Sequence, residues 1–124
     1  MSSAELEMYK ENILDHYKHP KNKHPLQDYT HSAAENNPLC GDEIVLYLKV
    51  SKGAIADASF EGQGCAISQA AASMFTEYLK GKRIDDLSIV EDKNVLTLLG
   101  IPISHTRLKC ALLISKTLRG ALNA

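Results

Sequence analysis

The chain has 124 residues, which is long enough to bury a hydrophobic core and short enough to form a single domain. With 44% hydrophobic residues, 23% charged residues and a net charge of −1, it has no overall field that would attract nucleic acid or an anionic membrane. No apolar run approaches the roughly 20 residues that span a bilayer, and the polar N-terminus lacks a secretory apolar core. We therefore expect one cytoplasmic domain over residues 1–124, without nucleic-acid or membrane partners.

The first predicted element is a helix over residues 4–18. Ser2 and Glu5 have the spacing of a capping box, and apolar side chains follow at helical intervals. Pro20 ends the helix, because proline has no backbone N–H to donate. A basic loop follows at residues 18–25.

Strands are predicted in the next third of the chain. Residues 43–50 alternate apolar and more polar side chains, as in a strand with one buried face. Residues 51–53 (SKG) supply a turn, and residues 54–60 return as the second strand of a hairpin. We expect a third strand at residues 29–35.

Helices are predicted for the rest of the chain. Residues 62–65 (GQGC) interrupt the sheet, and the alanine-rich stretch that follows predicts a helix over residues 66–81. A short helix is expected at residues 92–99. One last helix should start near Ser104 or Thr106, where the apolar side chains begin to form a single stripe. Without a repeat or a linker, this order predicts one α+β domain.

The three cysteines, Cys40, Cys65 and Cys110, are 25 and 45 residues apart. An odd number in a reducing compartment argues against a disulfide framework. The absence of a Cys-x-x-Cys pair argues against a zinc ribbon or a thioredoxin-like site. Each cysteine falls at the predicted end of an element, where functional sites are often built. A common site would therefore have to be assembled by the fold.

The surroundings of each thiol favour a ligand or a thiolate. Cys40 and Asp42 are expected at the start of the first hairpin strand, where residues two apart point to the same side. Cys65 opens a helix, whose dipole favours a thiolate, and basic neighbours should lower the pKa of Cys110. The alternative for each thiol alone is a buried structural role, since free cysteine is among the most buried residue types.

Histidine is a poorer source of a fourth ligand than Asp42. Four of the five histidines lie in the first quarter of the chain, where we expect solvated surface roles: His16, His19, His24 and His31. His105 precedes Cys110 by five residues, so on a helix it would lie off the face of that thiol. Asp42 is the preferred fourth ligand, and His105 stays as the alternative.

Three stretches resemble the cysteine motifs of the IscU/SufU proteins, also called the NifU N-terminal type. They are residues 37–42 (NPLCGD), 64–68 (GCAIS) and 107–111 (RLKCA). Residues 9–17 (YKENILDHY), followed by PKN, are similar to the family's N-terminal helix and loop. Order and spacing agree along essentially the whole chain, and three motifs together are a specific signal.

The resemblance implies an α+β fold in which a small antiparallel three-stranded sheet has helices packed on one face (SufE/NifU-like). It implies a metal site at one end of the molecule, formed by Cys40, Asp42, Cys65 and Cys110. Family members bind zinc or a transient [2Fe–2S] cluster there. The implied partners are a cysteine desulfurase of the SufS/IscS type, which hands over persulfide sulfur, and client apo iron–sulfur proteins.

The chain is similar to SufU in its motifs and to IscU in its length. Lys109 precedes the third cysteine as in SufU, where IscU scaffolds usually have histidine. Pro102 alone remains of the proline-rich stretch by which a specialised Hsp70 recognises IscU, and the SufU insertion between the second and third cysteines is missing. The resemblance therefore implies either a non-enzymatic scaffold or a zinc-dependent sulfurtransferase.

Three thiolates and a carboxylate suit a tetrahedral Zn²⁺ site, and four ligands also suffice for a [2Fe–2S] cluster. A hard carboxylate in place of a thiolate should weaken the hold on a soft metal, which favours a transient site. We expect Cys40 to accept the persulfide sulfur, because a loop cysteine should be mobile, with Cys110 as the alternative acceptor by family analogy. Contacts with the desulfurase are expected on the N-terminal helix and the basic loop.

Three other functions are compatible with the same residues. A cysteine hydrolase could use Cys65 or Cys110 with a histidine base and would be active without metal. A structural zinc protein would transfer no sulfur, and a chelator would simply unfold it. A thiol redox sensor would form a reversible disulfide between two of the three cysteines.

Overall fold

In the computed structural model of the chain, residues 2–87 and 92–123 are described. In chain order the elements are α1 (Ser3–Lys18), β1 (His31–Asn37), β2 (Asp42–Ser51), β3 (Ala54–Gln63), α2 (Ala66–Leu79), α3 (Ile84–Leu87), α4 (Asp92–Leu99), α5 (His105–Ala111) and α6 (Leu113–Leu122). Within these two ranges, none of the helices combines the length and the apolar character needed to cross a membrane.

The three strands form one antiparallel sheet in the order β1-β2-β3. β2 is central, and its Leu46 pairs with Ala33 of β1 and Phe60 of β3. The β2–β3 hairpin closes at Lys52 and Gly53, which both have positive φ as a type I′ turn requires. The predicted hairpin is confirmed, although β3 continues to Gln63 and so ends closer to Cys65 than expected.

The core lies between one face of the sheet and the helices. Ile44, Leu46 and Leu48 alternate along β2 and are fully buried. α2 packs on β3, α6 packs on β1 and β2, and α1 packs on α2. This arrangement confirms the expected α+β fold, with a three-stranded antiparallel sheet and helices on one face.

α1 begins with the predicted cap, since the Oγ of Ser2 accepts a hydrogen bond from the backbone N–H of Glu5 at 3.1 Å. The loop that follows α1 is fastened to α2 at the buried Ser73. The Oγ of Ser73 accepts a hydrogen bond from Lys21 N at 2.8 Å and lies 2.7 Å from Nδ1 of His16. The expected solvated role is therefore wrong for His16, which is half-buried because α1 packs against α2.

The predicted last helix is divided into α5 and α6 at Leu112. This residue has φ −96° and ψ 2°, and its N–H is shared between the carbonyls of Leu108 and Cys110. Both helices pack on α2, and the break lets α6 pack on β1 and β2 of the sheet as well. The four-residue α3 was not predicted, since it is too short for a periodic pattern.

Candidate metal centre

The β1–β2 hairpin turn carries the first candidate ligands. Asn37 and Asp42 are paired across the turn, and residues 38–41 connect them. The backbone N–H groups of Cys40 and Gly41 both donate to the carbonyl of Asn37, at 3.2 and 2.9 Å. Gly41 has φ +71°, a conformation that glycine adopts readily. Cys40 thus lies exposed in a tight turn, and the expectation of an extended segment there is wrong, because Gly41 reverses the chain.

Asp42 is held by the start of α2. Its Oδ1 accepts a hydrogen bond from the backbone N–H of Cys65 at 2.8 Å. Its Oδ2 is buried and has no hydrogen-bond partner within the described ranges. Leaving a buried polar atom unpaired costs about 1–3 kcal/mol, and a bound cation would offset that cost. The free oxygen therefore fits a metal ligand.

Gly64 makes room for this carboxylate. A Cβ atom at Gly64 would collide with Oδ1 of Asp42 and would lie 2.7 Å from Oγ of Ser68. The backbone before Cys65 can therefore approach the carboxylate only when residue 64 has no side chain. This close approach explains why a glycine precedes the second cysteine.

Cys110 lies in the last turn of α5 and is fully buried. Burial, followed by the neighbouring side chains of Asp42 and Cys40, raises the pKa of the Cys110 thiol above its usual range. The expected lowering of this pKa by Arg107 and Lys109 is wrong, because both basic residues are exposed while the sulfur faces the interior.

The structure brings three of the four predicted ligands together. One ligand atom each from Cys40, Asp42 and Cys110 lies within 4.8 Å of the other two. Cys65 neighbours this group, because its backbone N–H donates a hydrogen bond to Asp42. Its sulfur is not among the atoms that lie within 4.8 Å of one another. Cys65 as a ligand stays a prediction, as does the exposed His105 as the alternative to Asp42.

These residues fit a metal ion with mixed sulfur and oxygen ligands. Zn²⁺ binds thiolates at about 2.3 Å and carboxylate oxygens at about 2.0–2.2 Å, so atoms within 4.8 Å of one another need little movement to share it. All three cysteines are free thiols. No histidine side chain is hydrogen-bonded to a cysteine in residues 2–87 and 92–123.

Asn37 is a site residue that the sequence analysis did not single out. It is 7% exposed, and its Nδ2 donates to Sγ of Cys110 at 3.7 Å. Its carbonyl also holds the turn that presents Cys40. The signal that could have found it is its position at the head of the first cysteine motif.

Comparison with known proteins gives consistent matches. Residues 8–124 match the NifU-like N terminal domain family. The iron–sulfur cluster assembly scaffold protein IscU of Thermotoga maritima is 40% identical over 93% of this chain and 92% of its own length. The zinc-dependent sulfurtransferase SufU of Bacillus subtilis is 49% identical over 63% of this chain and 52% of its own length.

A solved structure shows the same architecture. It is the iron–sulfur cluster assembly scaffold protein proposed for the SUF system of Fervidobacterium islandicum AW-1. It is 33% identical to this chain with a TM-score of 0.77, over 90% of this chain and 94% of its own.

Proposed function

The chain belongs to the family of the NifU-like N terminal domain, and we propose that it is an iron–sulfur cluster assembly protein that accepts sulfur from a cysteine desulfurase. The observation that carries the proposal is the convergence of Cys40, Asp42 and Cys110, which are far apart in the sequence. A scaffold must bind what it builds and then release it, and a mixed site of soft sulfur and hard oxygen suits both steps.

Cys40, Oδ2 of Asp42 and Cys110 would hold the metal, with Cys65 as the fourth ligand. Zn²⁺ at this site would supply the positive charge that keeps the thiols deprotonated. A [2Fe–2S] cluster would be cargo, assembled on the same residues and passed to client apoproteins. The Bacillus relative is named for zinc dependence and the Thermotoga relative for cluster assembly, which supports both forms of the site.

Exposure supports Cys40 as the sulfur acceptor. Its side chain is exposed and the adjoining Leu39 is 82% exposed, whereas Cys110 is fully buried. In the transfer step the thiolate of Cys40 attacks the terminal sulfur of the desulfurase persulfide. The sulfur–sulfur bond of the donor breaks, the desulfurase cysteine leaves as a thiolate, and Cys40 becomes the persulfide. Cys110, the alternative acceptor, would first have to be uncovered.

We place the contact with the desulfurase on α1. The two proteins would meet in the cytoplasm. α1 exposes several large apolar or aromatic side chains, which are Met8, Tyr9, Leu14 and Tyr17. Large apolar side chains left exposed in this number on one helix favour a surface for another protein. The basic loop after α1 is fixed to α2 through Ser73, so both would meet a partner as one surface.

The test begins with anaerobic purification and analysis of bound metal and acid-labile sulfide. The protein is then incubated with a desulfurase and cysteine, and the persulfide is located by mass spectrometry. We expect a persulfide on Cys40 that is lost in Cys40→Ser and retained in the control His105→Ala. Zinc with this persulfide indicates the sulfur-acceptor form, and iron with sulfide in equal amounts indicates the cluster scaffold.

A structural zinc protein gives a different result in the same experiment. It would retain zinc, acquire no persulfide from the desulfurase, and unfold when a chelator removes the metal. That result would overturn the proposed function while leaving the metal site in place.

A further inference from the structure

We propose that Asn37 is a positioning residue that joins the turn bearing Cys40 to the helix bearing Cys110, through its carbonyl on one side and its amide group on the other. The inference rests on the proposed metal-binding function and adds a residue to the machinery of that site. It concerns how the two sulfur ligands are held, which the ligand set alone does not explain.

The backbone of Asn37 is fixed before its side chain is considered. Asn37 is the last residue of β1, and it pairs with Asp42 at the start of β2. Its carbonyl accepts the N–H groups of Cys40 and Gly41 at 3.2 and 2.9 Å. The position of the Cys40 turn is therefore set by this one carbonyl together with the strand pair that precedes it.

The side chain of Asn37 reaches the other sulfur. It is 7% exposed, and its Nδ2 donates to Sγ of Cys110, a residue 73 positions away, at 3.7 Å. In the part of the chain that the structure describes, Nδ2 of Asn37 is the only side-chain nitrogen that donates to a cysteine sulfur. Asn37 therefore connects a ligand of the hairpin with a ligand of α5.

The chemistry of a bound metal strengthens this contact. A ligating cysteine is a thiolate, which can only accept hydrogen bonds, and an asparagine amide offers two N–H donors. Hydrogen bonds to ligating groups fix their orientation and tune the metal, and removing such a partner typically lowers metal affinity about 10–100-fold. Such a bond also draws electron density from the sulfur, so its removal should shift the sulfur-to-metal charge-transfer band.

Two substitutions separate the amide donor from the shape of the side chain. Asn37→Leu keeps a similar volume without a donor, and Asn37→Asp keeps the shape but places a carboxylate against the thiolate. The control is Asn36→Asp, the same change at the adjacent residue, which is exposed. Hydrogen exchange of the Cys40 and Gly41 amides reports whether the turn itself survives in each variant.

With Co²⁺ as the probe, we expect both Asn37 variants to lose about 10–100-fold in affinity, and the control to change by less than about twofold. The charge-transfer band of Asn37→Leu should move to lower energy while the turn amides stay protected. A band and an affinity like those of the control in both Asn37 variants would overturn the inference.

A metal-free measurement keeps the inference separate from the proposed function. By NMR, a side-chain NH₂ proton of Asn37 should exchange with water more slowly than those of Asn36, and Cys110→Ala should remove the difference. Equal exchange at the two asparagines would overturn the inference whether or not metal binds. Failure of the wild-type protein to bind Co²⁺ would instead count against the proposed metal site.

Discussion

The two hairpin turns of the sheet lie at opposite ends of β2 and are built in different ways. The β2–β3 turn has two residues, Lys52 and Gly53, and the Gly53 carbonyl accepts a hydrogen bond from Ile84 N at 2.9 Å. The β1–β2 turn has four residues, and both of its short hydrogen bonds end on the Asn37 carbonyl. Both turns are exposed, but the β2–β3 turn is hydrogen-bonded to the start of α3, whereas the β1–β2 turn presents a thiol.

The difference shows which end of the sheet is specialised for chemistry. Beside the β1–β2 turn, Oδ2 of Asp42 is buried and has no hydrogen-bond partner among the residues that the structure describes, which a purely structural turn would avoid. Cys110 adds a buried thiol with a raised pKa, which a metal would have to deprotonate. Within residues 2–87 and 92–123, Oγ of Ser59 and Oε1 of Gln69 are also buried without partners, so what distinguishes the β1–β2 end is an unpaired carboxylate oxygen close to a buried thiol.

The largest effect should come from Gly64→Ala, which forces the Asp42 carboxylate away from the backbone of α2. We expect zinc affinity to fall by more than about 100-fold, because a ligand and its orienting bond are lost together. Chelator competition measures this change. Gly81→Ala is the control, since Gly81 also has positive φ (+84°) but open space around its Cβ position. Equal zinc affinity in the two variants would contradict the role given to Asp42.

Much of the fold could be predicted because its signals are local. The Ser2 cap, the alternation along β2 and the Lys52–Gly53 turn each depend on neighbours in the sequence. The break at Leu112 could not be predicted, because it depends on the packing of α6 against the sheet, which is distant in the sequence. The sequence pattern alone favours one continuous stripe there.

The sequence predicts the members of the candidate site, three of which the structure brings together, but it does not predict their geometry. The three cysteines and Asp42 follow from the motifs, but local sequence placed Cys40 in a strand and gave Cys110 a lowered pKa. The two errors have different causes, since the reversal at Gly41 is local to residues 37–41, whereas the burial of Cys110 is set by contacts between distant segments. The link from Asn37 to Cys110 spans 73 residues and leaves no local pattern.

The next prediction compares the same substitution, glycine to alanine, in the two turns. Gly53 and Gly41 both have positive φ, so alanine at either position should cost about 1–2 kcal/mol of stability in the metal-free protein. Only Gly41→Ala should also weaken zinc binding, because Gly41 lies between two ligands. Denaturant unfolding and chelator competition give the two quantities. If only Gly53→Ala weakened zinc binding, the metal site would have to be assigned to the β2–β3 end of the sheet and not to the β1–β2 end.

The smallest effect concerns His16, which belongs to neither turn. Burial first, and then the charge of Lys21, lower the pKa of His16, although Asp15 and Glu77 act in the opposite direction. As the pH falls through the ordinary pKa of about 6.5, His16 is protonated in the unfolded chain before it is protonated in the folded chain. Acid therefore favours the unfolded chain, and the stability of the protein should fall as the solution is acidified.

We expect the loss to be less than about 1 kcal/mol, since the group is partly solvated. Unfolding of the metal-free protein between about pH 5 and about pH 8 measures it, with His16→Gln as the comparison. His16→Gln should flatten the profile; an equally steep profile in that variant would assign the pH dependence to other groups.

The central claim is that Cys40, Asp42 and Cys110 share one ion, and X-ray absorption spectroscopy of the zinc-loaded protein tests it most directly. We predict sulfur ligands at about 2.3 Å with one oxygen at about 2.0–2.2 Å, and one sulfur fewer in both Cys40→Ser and Cys110→Ser. A zinc shell without sulfur, or a sulfur count unchanged by both substitutions, would contradict the claim.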